Sequence, residues 1–382
     1  NFAARNSPYY RRQGWARSLR EGRGIAFPDI PFTPKSDLKA RTAEFYAENV
    51  PASEGRPIEK FTSGSTGVPL RILKTQRHFA INSRENDRLS AGWGQEAHKA
   101  AVNTSYAEEG HAPGEITETR GPDGSVSWRI YTFASRPIAD LLCRTQAPHF
   151  NSRPSVVLGT LQEDRDFSFL RLITTVSEIV SPELKLLITR LPQCRHFDSY
   201  GTVETGLLAA QCAECGNYHA ADGHALIEVV DRKGRPVTPG GTGRVVVTTL
   251  FNLAMPLIRY DLEDVVTLAL PGKCRRPGQA FTRIIGRDRN LFTLPEGGKI
   301  TPNIPPEDIL AHGMKQYKLI QRSLNEVDLL YVPMADDIVV GQDVAQKLIE
   351  AHVSRHMKVT VQRVAEMPLS KGGKFLMHES MV

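Results

Sequence analysis

What this 382-residue chain lacks narrows its class before any motif is read. No uninterrupted apolar stretch approaches the ~20 residues needed to cross a bilayer, and the opening NFAARNSPYYRRQ has no apolar leader core. A cytoplasmic protein with no membrane partner is therefore expected. Five cysteines are too few for a disulfide framework in a chain of this size. Cys143 and Cys194 read as isolated core thiols, whereas Cys212 and Cys215 fall close to His219. No dense basic run stands out, because 48 Lys and Arg are interleaved with 42 Asp and Glu. The net charge of +6 thus reads as a solvated surface, and no nucleic-acid partner is expected. Internal repeats and low-complexity tracts are also missing, which excludes solenoid and fibrous architectures.

What is present fits a globular α/β protein with a large unit and a small one: 40% of residues are hydrophobic and 24% charged. Residues 36–49 have a helical pattern around Leu38, Ala43, Phe45 and Tyr46. The polar, Gly- and Pro-punctuated stretch 108–127 reads as a surface loop or hairpin able to cover a pocket. The apolar run 155–160 reads as a short buried strand, and 182–191 as a helix with Leu184, Leu187, Ile188 and Leu191 on one face. Strand-like runs at 225–231 and 244–250 flank the turn cluster RKGRPVTPGGTG, so they form an antiparallel β unit. The pattern changes after Gly286. Two strands within 316–332, an amphipathic helix over 342–356 and a strand over 358–364 predict a small α+β domain at 287–382, following a larger one at 1–286.

One turn concentrates hydroxyls and glycines: Thr62, Ser63, Gly64, Ser65, Thr66 and Gly67. Glycine lets backbone N–H groups approach an anion with no Cβ in the way, and the hydroxyls donate further hydrogen bonds. The G-x-x-x-x-G-K-[ST] spacing is absent, which disfavours a P-loop NTPase. Taken alone, the turn reads more readily as an ordinary surface loop. In chain order, however, there follow DSYGTVE at 198–204, MPLIRYDLED at 255–264, IIGRDR at 284–289 and PLSKGGK at 368–374. This ordered set resembles the acyl-adenylate-forming superfamily, and MPLIRY with the cysteine-containing segment is similar to its phenylacetate-coenzyme A ligase branch.

The resemblance implies a large adenylate-forming domain and a mobile C-terminal one, with ATP and Mg2+ as cofactors. It implies that Thr62 and the loop Ser63, Gly64, Ser65, Thr66, Gly67 hold the leaving phosphates, and that Tyr200 with Gly201 lies against adenine. It assigns Glu204 to magnesium, Asp264 to the ribose hydroxyls, and Arg287 to the ribose or phosphate. Lys374 is the lysine that reaches into the site, with Lys371 as the fallback. Adenylation aligns two anions and neutralises charge rather than supplying a nucleophile, so these residue types suit it. The chain departs from the family at Val203, where Ser or Thr is usual, and at Leu70, where lysine is common. Arg289 and Asn290 replace a hinge pair of aspartates.

The implied substrate is a carboxylic acid, with an aryl acid preferred. Tyr106, Trp128, Tyr131 and Phe133 are candidate pocket walls, and Glu178 aligns with a position that can meet an amino or hydroxyl substituent. The implied acceptor is coenzyme A. An amine or a carrier protein is the alternative, and a non-catalytic binding subunit is a third reading. Either a monomer or a homodimer is compatible. Separately, Cys212-x-x-Cys215-x-x-x-His219 with the distant Cys274 supplies the four soft or borderline ligands of a tetrahedral structural zinc. Buried thiols or a redox CxxC remain alternatives at this stage.

Overall fold

The computed structural model describes residues 2–62, 70–94, 99–105, 111–272, 274–287, 291–300, 302, 304–368 and 376–382. They form a large mixed α/β part and a smaller α+β part at the C-terminal end. By packing, the chain divides into two compact units, Asn1–Gly92 with Ser199–Asp288 and Trp93–Asp198 with Arg289–Val382.

In the first unit, strands run in the spatial order Ala225–Val230, Thr242–Thr249, Tyr260–Leu268, Ala280–Arg287, Tyr218–Ala220 and Gly206–Gln211. All neighbours are antiparallel, and Val230 pairs with Arg244 across the turn cluster, as the sequence pattern predicts. The run Val245–Val246–Val247 is buried on both faces, which β-branched side chains tolerate well on a pleated surface. Its core includes Tyr10, Leu38, Phe45, Val247, Met255 and Tyr260. Arg259 ties the amino-terminal segment to this sheet. Its guanidinium makes two bonds to Glu228, at 3.1 and 2.8 Å, and two more to the carbonyls of Pro28 and Ile30 at 2.5 Å. A separate hairpin pairs Pro57–Phe61 with Arg71–Thr75, turning Ile72 and Lys74 inward.

The second unit holds a parallel set in the order Leu172–Val176, His149–Ser152, Ala100–Thr104, Val126–Ile130. Ile116–Arg120 adds antiparallel at its edge, so the described part of 108–127 is the hairpin expected from its turn residues. Helices Ser135–Thr145 and Pro154–Leu161 bury Ile138, Leu142, Val157 and Leu158 in the same core. The carboxy-terminal part orders its strands Lys358–Arg363, Glu326–Pro333, Met314–Ser323, His378–Ser380, with helix Gln342–His352 packed by Leu348 and Ile349 into a core with Leu319 and Leu329. Among the described residues, no helix is long and apolar enough to cross a membrane.

Three local expectations are corrected. Residues 155–160 are not a strand: they lie in the helix Pro154–Leu161. The run PSVVLGTL is apolar on all sides and has no period to read, while Pro154 at the first turn is the signal that decides for helix. The helix expected over 36–49 is a short one, Lys35–Ala40, broken at Arg41 and followed by the 3-10 turn Thr42–Phe45. Cys143 and Cys194 are half-buried at the edge of the core rather than inside it. Helix Pro182–Thr189 follows its prediction, and the Ser181 hydroxyl accepts from the Leu184 N–H at 3.2 Å. Ser181→Ala is expected to cost about 1 kcal/mol, read from the midpoint of denaturant unfolding.

Candidate active site and metal cluster

In the first unit, the strand segment Ser199–Thr202 turns through Val203, Glu204 and Thr205 into Gly206–Gln211. Glycine is required at 201, because a Cβ there would lie 2.6 Å from the Gly206 carbonyl. Gly206 sits at φ 88°, where a side chain would also strike the Asn82 amide. That amide oxygen accepts the Leu207 N–H at 2.8 Å, so helix Gln76–Ser90 pins the strand just beyond the turn. The Tyr200 phenol donates to Asp264 Oδ2 at 2.7 Å, with both side chains under 9% exposed. The two residues expected at adenine and ribose are therefore in direct contact. Arg287 stands opposite Asp264 in the strand ladder.

Glu204 is 6% exposed, and the Lys35 ammonium lies 3.9 Å from its Oε1 while donating to the Leu262 carbonyl at 3.2 Å. Thr62 braces the neck of the glycine-rich loop. Its N–H donates to the Leu70 carbonyl at 3.0 Å, and its hydroxyl accepts the Leu70 N–H at 2.9 Å. Ser63, Gly64, Ser65, Thr66 and Gly67, together with Lys371, Lys374, Tyr106, Arg289 and Asn290, lie outside the described residues.

Cys212, Cys215, His219 and Cys274 converge, with all four ligand atoms within 4.8 Å of one another. Cys212 Sγ is 3.8 Å from Cys274 Sγ, and Cys215 Sγ is 3.5 Å from His219 Nε2. A tetrahedral zinc with Zn–S of about 2.3 Å and Zn–N of about 2.05 Å would separate such atoms by about 3.8 and about 3.6 Å. The Glu214 N–H points at Cys212 Sγ and the Arg276 N–H at Cys274 Sγ, an environment suited to thiolates. Burial pushes the Cys212 thiol up, but the N–H groups of Cys215 and Glu214 with the neighbouring thiols bring it below its ordinary value.

No family model matches the chain. Among curated proteins, it is 24% identical over 358 residues to the phenylacetate-coenzyme A ligase of Escherichia coli K12, covering 86% of this chain and 78% of that one. It is also 24% identical over 297 residues to the enzyme of the same name from Pseudomonas putida, covering 74% of this chain and 65% of that one. Among solved structures, 2-hydroxyisobutyryl-CoA ligase in its postadenylation state superposes with a TM-score of 0.72 at 17% identity, over 98% of this chain and 86% of the other. An anthranilate CoA ligase holding anthranoyl-AMP superposes at 0.62 and 13% identity, over 83% of this chain and 64% of the other. The chain is thus similar in sequence to phenylacetate-coenzyme A ligases and shares its fold with CoA ligases solved with acyl-AMP.

The described residues expected to meet the acid lie in the second unit. Tyr131 is 7% exposed and stacks on the His111 ring at 4.0 Å, so its face is already covered. Glu178 Oε2 accepts the Ser155 N–H at 3.0 Å at the start of helix Pro154–Leu161, and its Oε1 is buried without a hydrogen-bond partner among the described residues. Ser177, just before it, is held at φ 78°, a conformation that strains a side-chain-bearing residue. The Trp128 indole donates to Glu118 at 2.9 Å, on the hairpin. Phe133 carries the Arg153 guanidinium 4.2 Å over its ring. Both Phe133 and Arg153 line a cavity of about 620 Å³ with Ser155, Leu158, Ile179 and Tyr317.

Sequence reasoning missed Lys35, Lys74 and His78. Lys74 is 5% exposed, and burial pushes its ammonium down to about 8 against the upward pull of Glu204. The one available signal was a lysine two residues after Ile72, on the inward face of a short strand.

Proposed function

We propose that the chain joins a carboxylic acid to AMP with ATP, releasing pyrophosphate, and then passes the acyl group to coenzyme A. The observation that carries this reading is the buried Tyr200–Asp264 pair, which joins the strand leading into the Glu204 turn to strand Tyr260–Leu268. A carboxylate oriented by a phenol is a ready acceptor for the paired hydroxyls of a ribose. In the reaction, an acid oxygen bonds the α-phosphorus as the bond to the bridging oxygen breaks, and the electron pair leaves on pyrophosphate. Glu204 would hold Mg2+, a hard cation that neutralises the phosphate oxygens. Thr62 would keep the loop neck closed while Ser63 to Gly67 cradle the leaving group, and Lys374 would meet the charge that develops on the α-phosphate and acid. An aryl acid is favoured by the Phe133 and Arg153 wall of the 620 Å³ cavity.

The ligand-atom spacings in the cysteine cluster support a structural zinc on Cys212, Cys215, His219 and Cys274; with four protein ligands, no position is left open for catalysis. An amine acceptor is the second reading. It is supported by Arg289 and Asn290 at the hinge and by the shared fold of the amide bond synthetase McbA of Marinactinospora thermotolerans, with a TM-score of 0.56.

Isotope exchange between ATP and pyrophosphate over a panel of carboxylic acids tests the first step. Asp264→Asn is expected to lower exchange by about 10²-fold with little change in melting temperature. Absence of exchange with every acid would sink the adenylation reading, and full exchange in the variant would remove Asp264 from its role. Thioester on addition of coenzyme A, against amide on addition of amines, decides the acceptor.

A further inference from the structure

Two buried lysines, Lys35 and Lys74, act on the buried carboxylate of Glu204. Lys35 already holds Glu204 Oε1, and both of these side chains are under 9% exposed. Lys74 arrives from the hairpin strand Arg71–Thr75, turned inward beside Ile72. Among the described residues its ammonium has neither a hydrogen-bond acceptor nor an ion-pair partner; the Phe79 ring lies 5.6 Å away, and the carboxylate whose charge reaches it is Glu204. Lys60, on the opposing strand, adds repulsion rather than relief. An ammonium on a side chain only 5% exposed, with no such partner among the described residues, gains from an anion that completes it.

A second observation points the same way. His78, one turn into the helix that begins where the Lys74 strand ends, is 1% exposed, and neither of its ring nitrogens has a hydrogen-bond partner among the described residues. Lys74 and His78 sense each other's charge, so the unsatisfied donors lie in one region.

We propose that Lys74 is a polyphosphate-binding residue of this chain, which with Lys35 receives the pyrophosphate end of ATP beside Glu204. A ligand with several anionic oxygens supplies acceptors for the ammonium donors and offsets the positive charge of the two lysines. The inference rests on the ATP reading for the identity of the ligand, but not for its chemistry.

Pyrophosphate alone, titrated calorimetrically into the whole protein with Mg2+ present, is the probe, and ATP and AMP follow. Lys74→Met is expected to weaken pyrophosphate and ATP about tenfold or more while leaving AMP within about twofold, with an unchanged or higher melting temperature because an unpaired buried charge is gone. Lys74→Arg should restore most of the binding. Equal weakening of AMP and ATP would mean a structural role, and undiminished pyrophosphate binding in Lys74→Met, or none by the wild type, would overturn the proposal. Pyrophosphate binding that depends on Lys74, in a protein showing no exchange with any acid, would uphold it and defeat only the adenylation reading.

Discussion

Stripping the protein with a strong chelator, or replacing Cys212 by serine, is expected to lower its melting temperature by at least about 10 °C, because metal binding free energy at such a cluster is folding free energy. The cluster links places far apart in the sequence. Cys212 follows strand Gly206–Gln211, His219 lies in Tyr218–Ala220, and Cys274 precedes Ala280–Arg287. Its surroundings hold helix Gln76–Ser90: Arg276 donates to the Leu89 carbonyl at 2.8 Å, and Arg88 reaches Asp222 at 3.0 Å. Loss of the clasp therefore loosens the far end of the same helix whose Asn82 pins the strand beyond Glu204. Atomic emission on purified protein should find stoichiometric zinc, and Cys143→Ser, at the edge of another core, should change neither metal content nor melting. A protein without zinc whose stability instead followed added reductant would show a redox pair at Cys212 and Cys215 and end the zinc reading.

The legibility of this chain tracks how local each signal is. The antiparallel unit around RKGRPVTPGGTG and the strands flanking Ser323 to Glu326 were readable because each combines alternation with turn residues inside a short window. Helix Pro154–Leu161 was misread because a segment buried on every side carries no period, and its β-branched Val156 and Val157 favoured the wrong element. Tyr200, Glu204 and Asp264 were legible only as members of an ordered set of motifs. Their mutual contact, and the Lys35 ammonium against Glu204, join residues 64 and 169 positions apart, respectively, and no short-range pattern encodes that. The metal cluster was half local. Cys212, Cys215 and His219 announce themselves by spacing, but Cys274 enters only because strand Ala280–Arg287 pairs with Tyr218–Ala220 and carries the preceding loop to the other three ligands.

Acid should destabilise this protein well before its carboxylates titrate. Burial, reinforced by Lys74 and then His224, pushes the His78 imidazole down to about 3, and burial with Lys185 pushes His196 down to about 4. Both are therefore neutral when folded, whereas an unfolded chain protonates them near 6.5. Since the unfolded state then binds more protons, their contribution is fully present above about pH 6.5 and shrinks as pH falls, until the folded pKa values of about 4 and about 3 are passed. At pH 5 each site is about 1.5 units below its unfolded pKa, a loss on the order of 2 kcal/mol per histidine and 4 kcal/mol for the two. His224 is lowered by burial as well and adds in the same direction. One of the pair lies in each compact unit, so neither unit should keep its pH 7 stability. Guanidinium unfolding at pH 7.5, 6 and 5 reads the slope directly, and the double variant His78→Gln, His196→Gln should flatten it, although His196 also gives up a 2.9 Å hydrogen bond to the Thr175 hydroxyl. Wild-type stability that stays level from pH 7.5 to 5 would show that these imidazoles take up protons in the folded chain, against the burial of His78, whose ring nitrogens have no hydrogen-bond partner among the described residues.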